Sequence, residues 1–134
     1  MAASVIDSNL FKDQYGTEQM RQVFSEENQL QSWLNAWVAL AQAEAAVKII
    51  PVSAANEIKE KAQAKNIDRD EVRRGFKITS HPLMPQISSF SRVLSKDTAK
   101  YLHWGATTQD ITDTGLVLQL KAAQQIIETQ IQQV

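Results

Sequence analysis

The chain has 134 residues, of which 43% are hydrophobic and 22% are charged, and its formal net charge at pH 7 is −1. This length suits one domain with a hydrophobic core, and this composition excludes a disordered chain or one with a strong attraction for nucleic acid. The absence of cysteine excludes disulfides and thiolate metal sites and agrees with a cytoplasmic protein, and no stretch approaches the roughly 18 apolar residues of a membrane span.

The first 50 residues predict an extended arm followed by a short helix and a long one. Residues 1–16 lack hydrophobic periodicity and are expected to be extended. Ser25 is a favourable N-cap for the long helix, which Pro51 should close. Apolar residues recur in it every three or four positions, so the helix should bury a broad stripe that includes Trp33 and Trp37.

The middle of the chain predicts three further helices. Ser53 is a candidate N-cap for the first, and Asp68 with Glu71 has the spacing of a capping box for the second. Pro82 suits the first turn of the third helix and restricts the preceding residue to an extended conformation. Residues 95–97 should end that helix.

The loop that leads into the last helix carries an unusual series of side chains, HWGATTQD at residues 103–110. Thr107 or Thr108 can cap a helix that runs from about Ile111 to the chain end. Unpaired N–H groups and the positive end of the helix dipole, together with hydroxyls and an amide, form a cradle for a carboxylate or a phosphate. The same pattern also fits an ordinary capped helix in which His103 and Trp104 only pack.

The last helix carries apolar residues around much of its circumference, so it should be surrounded by partners. No glycine, proline or basic final turn closes it, and we therefore expect it to continue past Val134 in an intact protein. The pattern as a whole predicts an all-α fold of five or six helices, two of them long. The breaks between helices should fall near Tyr15, Pro51, His81 and His103.

Three ordered segments of the chain resemble the fumarase/aspartase superfamily, in the branch that holds adenylosuccinate lyase and 3-carboxy-cis,cis-muconate cycloisomerase. HWGATTQD, with Asp113 and Thr114 after it, looks like the first signature of that superfamily. Residues 20–51 are similar to the opening helix of the branch, and TSHPLMP at residues 79–85 resembles the segment that carries an active-site histidine in adenylosuccinate lyases. Together these segments cover nearly the whole chain.

The resemblance implies a domain division, an assembly and a reaction. Residues 1–110 would form an N-terminal helical domain, and residues 111–134 would be the truncated start of a central helical bundle. Superfamily members are homotetramers whose active sites lie where three subunits meet, and they eliminate across a carbon–carbon bond beside a carboxylate, usually releasing fumarate. We therefore expect a small dicarboxylate substrate and a homo-oligomer, with no cofactor, metal, nucleic acid or membrane involved.

The resemblance also assigns the site residues. They are His81, in a supporting catalytic role, and the substrate-binding residues Tyr15, His103, Thr107, Thr108, Gln109 and Asp110. The two threonines would hold a substrate carboxylate, and the amide and the carboxylate that follow would shape the loop. The two histidines would contact the other end of the substrate or the developing charge. Considered alone, His81 would be a surface or capping residue.

Near the N-terminus the chain departs from the adenylosuccinate lyase pattern. Those enzymes carry an Arg-Tyr pair that holds the nucleotide phosphate, and here Tyr15 matches the tyrosine while Gln14 stands in place of the arginine. A neutral amide cannot make the charge-assisted, bidentate contact of a guanidinium. The substitution argues against a nucleotide substrate.

The expected function is therefore a carbon–nitrogen lyase that releases fumarate from a succinyl amine. The first alternative is a 3-carboxy-cis,cis-muconate cycloisomerase, and the second is a non-catalytic helical interaction module. In superfamily members the general acid and the general base lie beyond the position of Val134. We therefore expect the 134-residue chain to be inactive on its own.

Overall fold

The computed structural model describes residues 4–133, and all regular structure in that range is helical, as predicted. There are eight α-helices in this range, and the short ones account for the excess over the five or six predicted. Their bounds are α1 Lys12–Tyr15, α2 Glu18–Val23, α3 Glu26–Ala46, α4 Val52–Lys61, α5 Arg69–Thr79, α6 Met84–Val93, α7 Lys96–Ala99 and α8 Thr108–Ile131. None of these helices combines the length and the hydrophobicity that crossing a bilayer requires.

The long helix α3 forms the centre of the fold. Ser25 caps it as predicted, because the Ser25 hydroxyl accepts the Asn28 backbone N–H at 3.2 Å. The helix ends before Pro51, however, because Lys48 adopts a left-handed φ of 63° and the Ile49 N–H bonds back to the Glu44 carbonyl at 2.8 Å. Both tryptophans of its apolar stripe are buried, as predicted.

Helix α8 packs along α3 and α2, and this contact places its first turn beside the core. Ile111 belongs to the same buried cluster as Trp33 and Trp37. Further along, the Gln119 amide donates to the Val23 carbonyl at 2.7 Å. The start of α8 is therefore held rigidly against the helix that carries the two tryptophans.

The outer part of α8 exposes large apolar side chains to solvent. They are Leu116, Val117, Leu118, Leu120, Ile127 and Ile131. An apolar surface of this extent usually marks an interface. The prediction that other segments surround this helix stays a prediction.

The prediction of an extended N-terminal arm was wrong. Residues 5–7 form a 3-10 turn and α1 follows it. The Arg21 guanidinium holds this segment in place by donating to the Lys12 and Gly16 carbonyls at 3.1 and 2.9 Å and to the Asp13 carboxylate at 2.6 Å. This part of the chain is held by contacts between separate segments, and hydrophobic periodicity does not reveal such contacts.

Two predicted helix starts are shifted. Helix α4 begins at Val52 rather than after a Ser53 cap, because Pro51 has an extended backbone and takes the capping position. Helix α6 begins two residues after Pro82, and its first turn contains Pro85 instead. Pro51 and Pro82 both lie before the first residue of the helix that follows, so Pro82 is not in the first turn where it was predicted.

Ser95 was predicted to end α6, but it is the N-cap of the short helix α7. Its backbone N–H and its hydroxyl both donate to Glu57 of α4. The Glu57 carboxylate accepts the Ser95 N–H and hydroxyl, each at 2.7 Å, and the Thr98 hydroxyl at 2.5 Å. It also pairs with Lys61 at 2.8 Å. Hydrogen bonds from Lys61, Thr98 and Ser95, in that order of effect, hold the pKa of Glu57 well below its usual value of 4.5.

We expect Glu57→Gln to lower the melting temperature, because an amide carries no charge and cannot replace all of these acceptor contacts. Since the pKa of Glu57 is depressed in the folded state, its stabilisation is complete above about pH 4.5 and is lost as the pH falls further. The difference in melting temperature between wild type and variant should therefore shrink below that pH. Thermal melts between about pH 7 and pH 3 measure this difference in melting temperature. The control is Glu60→Gln, which changes an exposed glutamate of the same helix. A difference that is constant with pH would contradict this assignment.

Candidate carboxylate-binding site

The candidate site is built on the first turn of α8. Thr107 occupies the N-cap position with an extended backbone, and the Asp110 carboxylate accepts its N–H at 2.8 Å, one of the two bonds of a capping box. The first N–H groups of a helix have no partner within it, and the dipole of a 24-residue helix adds partial positive charge there. The tip of α8 therefore favours an anion.

His81 reaches this tip from the break between α5 and α6. Ser80 has a left-handed φ of 52°, which ends α5 and turns the chain. The His81 ring accepts the Leu83 and Met84 N–H groups on Nδ1 at 3.2 and 3.0 Å, so it also caps α6. Its other nitrogen, Nε2, lies 3.3 Å from Thr108 Oγ1. The structure thus joins two predicted site residues that are 27 positions apart in the chain.

His103 lies on the other side of the loop and is fixed by α3. The Trp37 indole N–H donates to His103 Nδ1 at 3.1 Å, and the two rings meet edge to face. Burial lowers the pKa of His103 below its ordinary value of 6.5; the Asp110 carboxylate partly opposes this effect, and the proximity of His81 adds to it. His103 is therefore neutral at pH 7.

The hydrogen bonds of the two histidines determine which nitrogen carries the proton. In both rings Nδ1 accepts a hydrogen bond, so in the neutral form the proton is on Nε2. Each neutral ring therefore offers an N–H donor through Nε2 and keeps no free lone pair for proton abstraction. This arrangement suits binding and polarising an anion better than removing a proton from a substrate.

A histidine titration tests this description. We expect His103 to titrate with a midpoint below 6.5 in carbon- and nitrogen-edited NMR spectra, and its neutral form to be the Nε2–H tautomer. A pKa that is lower in the folded state than in the unfolded chain also means that this group reduces stability as the pH falls below about 6.5. The spectrum of His103→Asn assigns the signal. A midpoint at or above 6.5 would contradict the buried, tryptophan-bonded ring.

The remaining predicted residues differ in how close they come to this cluster. Thr107 and Gln109 are exposed on the same first turn of α8. Tyr15, at the end of α1, is 61% exposed, and no hydrogen bond or ring contact within the described residues joins it to the histidines or threonines. The nearby Arg21 does not replace the missing arginine, because Asp13, Glu18 and two backbone carbonyls occupy its guanidinium. The assignment of Tyr15 to the site stays a prediction.

Two residues of α3 that lie under the loop, Trp37 and Glu44, were not among the predicted site residues. Trp37 was predicted to be core, and it is, but it also orients His103. Glu44 was not singled out, although a carboxylate on an apolar helical stripe is a signal worth noting because charged residues are rarely buried without a partner. Glu44 is buried and lies close to Gly105.

Comparisons with known proteins agree with this fold. The chain is 39% identical over 119 residues to adenylosuccinate lyase of Methanocaldococcus jannaschii, which covers 89% of this chain and 26% of that protein. It is 38% identical over 127 residues to N-acetyl-S-(2-succino)cysteine lyase of Dickeya dadantii, covering 95% and 28%. The crystal structure of beta-carboxy-cis,cis-muconate cycloisomerase from Acinetobacter calcoaceticus superposes with a TM-score of 0.87 at 33% identity, covering 93% and 30%. No protein-family model matches the chain.

The described residues thus form an all-α protein in which a hydroxyl and an imidazole ring meet at the start of a long helix. The chain belongs to the fumarase/aspartase superfamily and corresponds to the N-terminal portion of its members. It spans less than a third of the length of the relatives it matches. The relatives are lyases and cycloisomerases, so the family is one of lyase-type enzymes.

Proposed function

We propose that this chain supplies the carboxylate-binding wall of a lyase that eliminates fumarate from a succinyl amine. The observation that carries the proposal is the pairing of Thr108 Oγ1 with His81 Nε2 at 3.3 Å, at the electropositive tip of α8. The His81 N–H donates to the hydroxyl oxygen, which leaves the hydroxyl hydrogen for a substrate carboxylate.

This arrangement matches the electrostatic demand of the elimination. Removing a proton beside a carboxylate moves negative charge onto that group, so donors held where the charge appears lower the barrier. The Thr108 hydroxyl, the first N–H groups of α8 and the His103 Nε2–H are such donors. They are also preorganised, because Trp37 and the first turn of α6 fix the two rings.

The proton transfers are assigned elsewhere in the enzyme. Since Nδ1 of each histidine accepts a hydrogen bond, neither ring keeps a second free lone pair, and we propose, as the resemblance implies, that the general base and the general acid lie outside residues 1–134. The chain alone is therefore proposed to be inactive. Residues 111–134 would begin the central bundle of a cytoplasmic homotetramer, and the exposed apolar residues of α8 support this placement.

The leaving group is proposed to be an amine that is not a nucleotide. Gln14 offers no charge for a phosphate, and Arg21 is already occupied. Among the relatives, N-acetyl-S-(2-succino)cysteine lyase is named for a succinyl compound that is not a nucleotide. A cycloisomerase is the second candidate, and the TM-score of 0.87 to such an enzyme favours it.

The test is a substrate panel on the complete product of the reading frame that encodes this chain. Adenylosuccinate, a simple N-succinyl amino acid and N-acetyl-S-(2-succino)cysteine are assayed for fumarate release, and 3-carboxy-cis,cis-muconate for lactone formation. Fumarate from the N-succinyl amino acid supports the proposal. Lactone formation without fumarate release selects the cycloisomerase, and turnover by the 134-residue chain alone would overturn the assignment of the acid and the base.

A further inference from the structure

Glu44 is a buried residue, and one oxygen of its carboxyl group lacks a hydrogen-bond partner among the described residues. It lies on α3 about two helical turns after Trp37, on the same side of the helix, and is 8% exposed. Its Oε2 atom is buried and has no hydrogen-bond partner among the described residues. Burial raises the pKa of Glu44. A buried acceptor without a donor destabilises the folded state, so an acid at this position needs a reason.

The loop beside Glu44, residues 103–106, contains backbone N–H groups that lack a hydrogen bond of standard geometry. His103 and Gly105 both have left-handed φ values, 62° and 66°. In the described part of the chain, the backbone N–H groups of Trp104, Gly105 and Ala106 make no hydrogen bond of standard length and angle. Glu44 Oε1 lies 3.9 Å from the point where a Cβ on Gly105 would stand. The carboxylate that carries the unpaired Oε2 atom thus lies, through its other oxygen, beside backbone N–H groups that lack a hydrogen bond of standard geometry.

We propose that Glu44 is a positioning residue whose carboxylate accepts backbone N–H groups of residues 104–106 and so holds the loop in its substrate-binding form. Trp37 and Glu44 then act as two anchors on one face of α3, the first for the ring of His103 and the second for the backbone after it. Because the loop leads directly into the first turn of α8, this second anchor sets where the Thr107 and Thr108 hydroxyls stand. The role in substrate binding rests on the proposed function, whereas the hydrogen bonds do not.

Amide hydrogen exchange in the 134-residue chain tests the anchor directly. In the wild type, the amides of residues 104–106 should be protected. Glu44→Met removes the acceptor at similar length and should speed their exchange about tenfold, which corresponds to one hydrogen bond of about 1.4 kcal/mol. Glu44→Gln keeps an acceptor oxygen and should restore most of the protection. The matched control is Gln86→Met, since Gln86 of α6 also has a buried, unpaired side-chain oxygen.

The alternative is that Glu44 is only an unpaired buried acid. Glu44→Met would then stabilise the chain and leave the loop amides unchanged, and either unprotected wild-type amides or equal exchange in both Glu44 variants would overturn the proposal. Failure of both variants to fold would also overturn it, because an acceptor that only steadies a loop is not needed by the core. In the fumarate assay, Glu44→Met should lower kcat/KM about tenfold and Glu44→Gln should recover most of it. The exchange result is independent of catalysis, so it tests Glu44 even if the substrate assignment fails.

Discussion

Replacing Thr108 with valine is expected to lower kcat/KM about 100- to 1,000-fold in the complete product of the reading frame. Valine keeps the shape of threonine and removes the hydroxyl that stands 3.3 Å from His81 Nε2. Loss of one preorganised donor to a developing anion has an effect of this size in enzymes. The loss should appear in kcat as well as in KM, because the interaction strengthens as charge moves onto the substrate carboxylate.

Two variants separate this effect from a change in folding. Thr108→Ser keeps the hydroxyl and should retain most of the activity, within about tenfold. Thr129→Val removes a hydroxyl from the same helix, one whose bond among the described residues is to the Gln125 carbonyl at 2.9 Å, and should leave kcat/KM unchanged. Equal activity of Thr108→Val and wild type would remove Thr108 from the site.

The largest expected effect on stability comes from Gly115→Ala. A Cβ at position 115 would stand 2.4 Å from Trp33 Cδ1 and 2.9 Å from its Nε1, so the tryptophan or the whole of α8 must move. Overpacking of this kind costs about 1–3 kcal/mol. On an open helix the same substitution would instead gain up to about 1 kcal/mol. Urea denaturation at 25 °C measures the difference.

Two further variants test whether the contact between position 115 and the Trp33 ring causes this loss of stability. The exposed neighbour Thr114→Ala should change stability by no more than about 0.5 kcal/mol. In a Trp33→Ala background, where the indole ring is absent, the cost of Gly115→Ala should fall, and a double-mutant cycle reports the coupling. If the Gly115→Ala variant were more stable than wild type, the backbone of α8 would not pack closely against Trp33.

Local chemistry made the helix starts at the site partly predictable. The capping of α8 at Thr107 follows from a hydroxyl followed three residues later by an acid, a pattern contained within four residues. The start of α4 was missed because Pro51 was assigned only to the end of α3, whereas it takes the capping position of α4. An extended backbone at proline suits either role.

The site itself depends on contacts that no local pattern contains. His81 and Thr108 are 27 positions apart, and Trp37 and His103 are 66 apart. The resemblance to a family suggested that the histidines and threonines meet. It did not indicate that Trp37 orients a ring or that Glu44 lies under Gly105, because both residues fit a simple buried stripe. Which nitrogen of each histidine faces the site follows only from the hydrogen bonds in the structure.

The most direct test of the central claim is a crystal structure of the complete product of the reading frame with fumarate bound. We predict one fumarate carboxylate at the tip of α8, with an oxygen about 2.5–3.0 Å from Thr108 Oγ1 and within hydrogen-bond distance of the first backbone N–H groups of the helix. The Nε2 atom of His103 should point toward the ligand, and the His81 Nε2–H should still donate to Thr108 Oγ1. Fumarate bound elsewhere, with the Thr108 hydroxyl covered by protein side chains, would contradict the account.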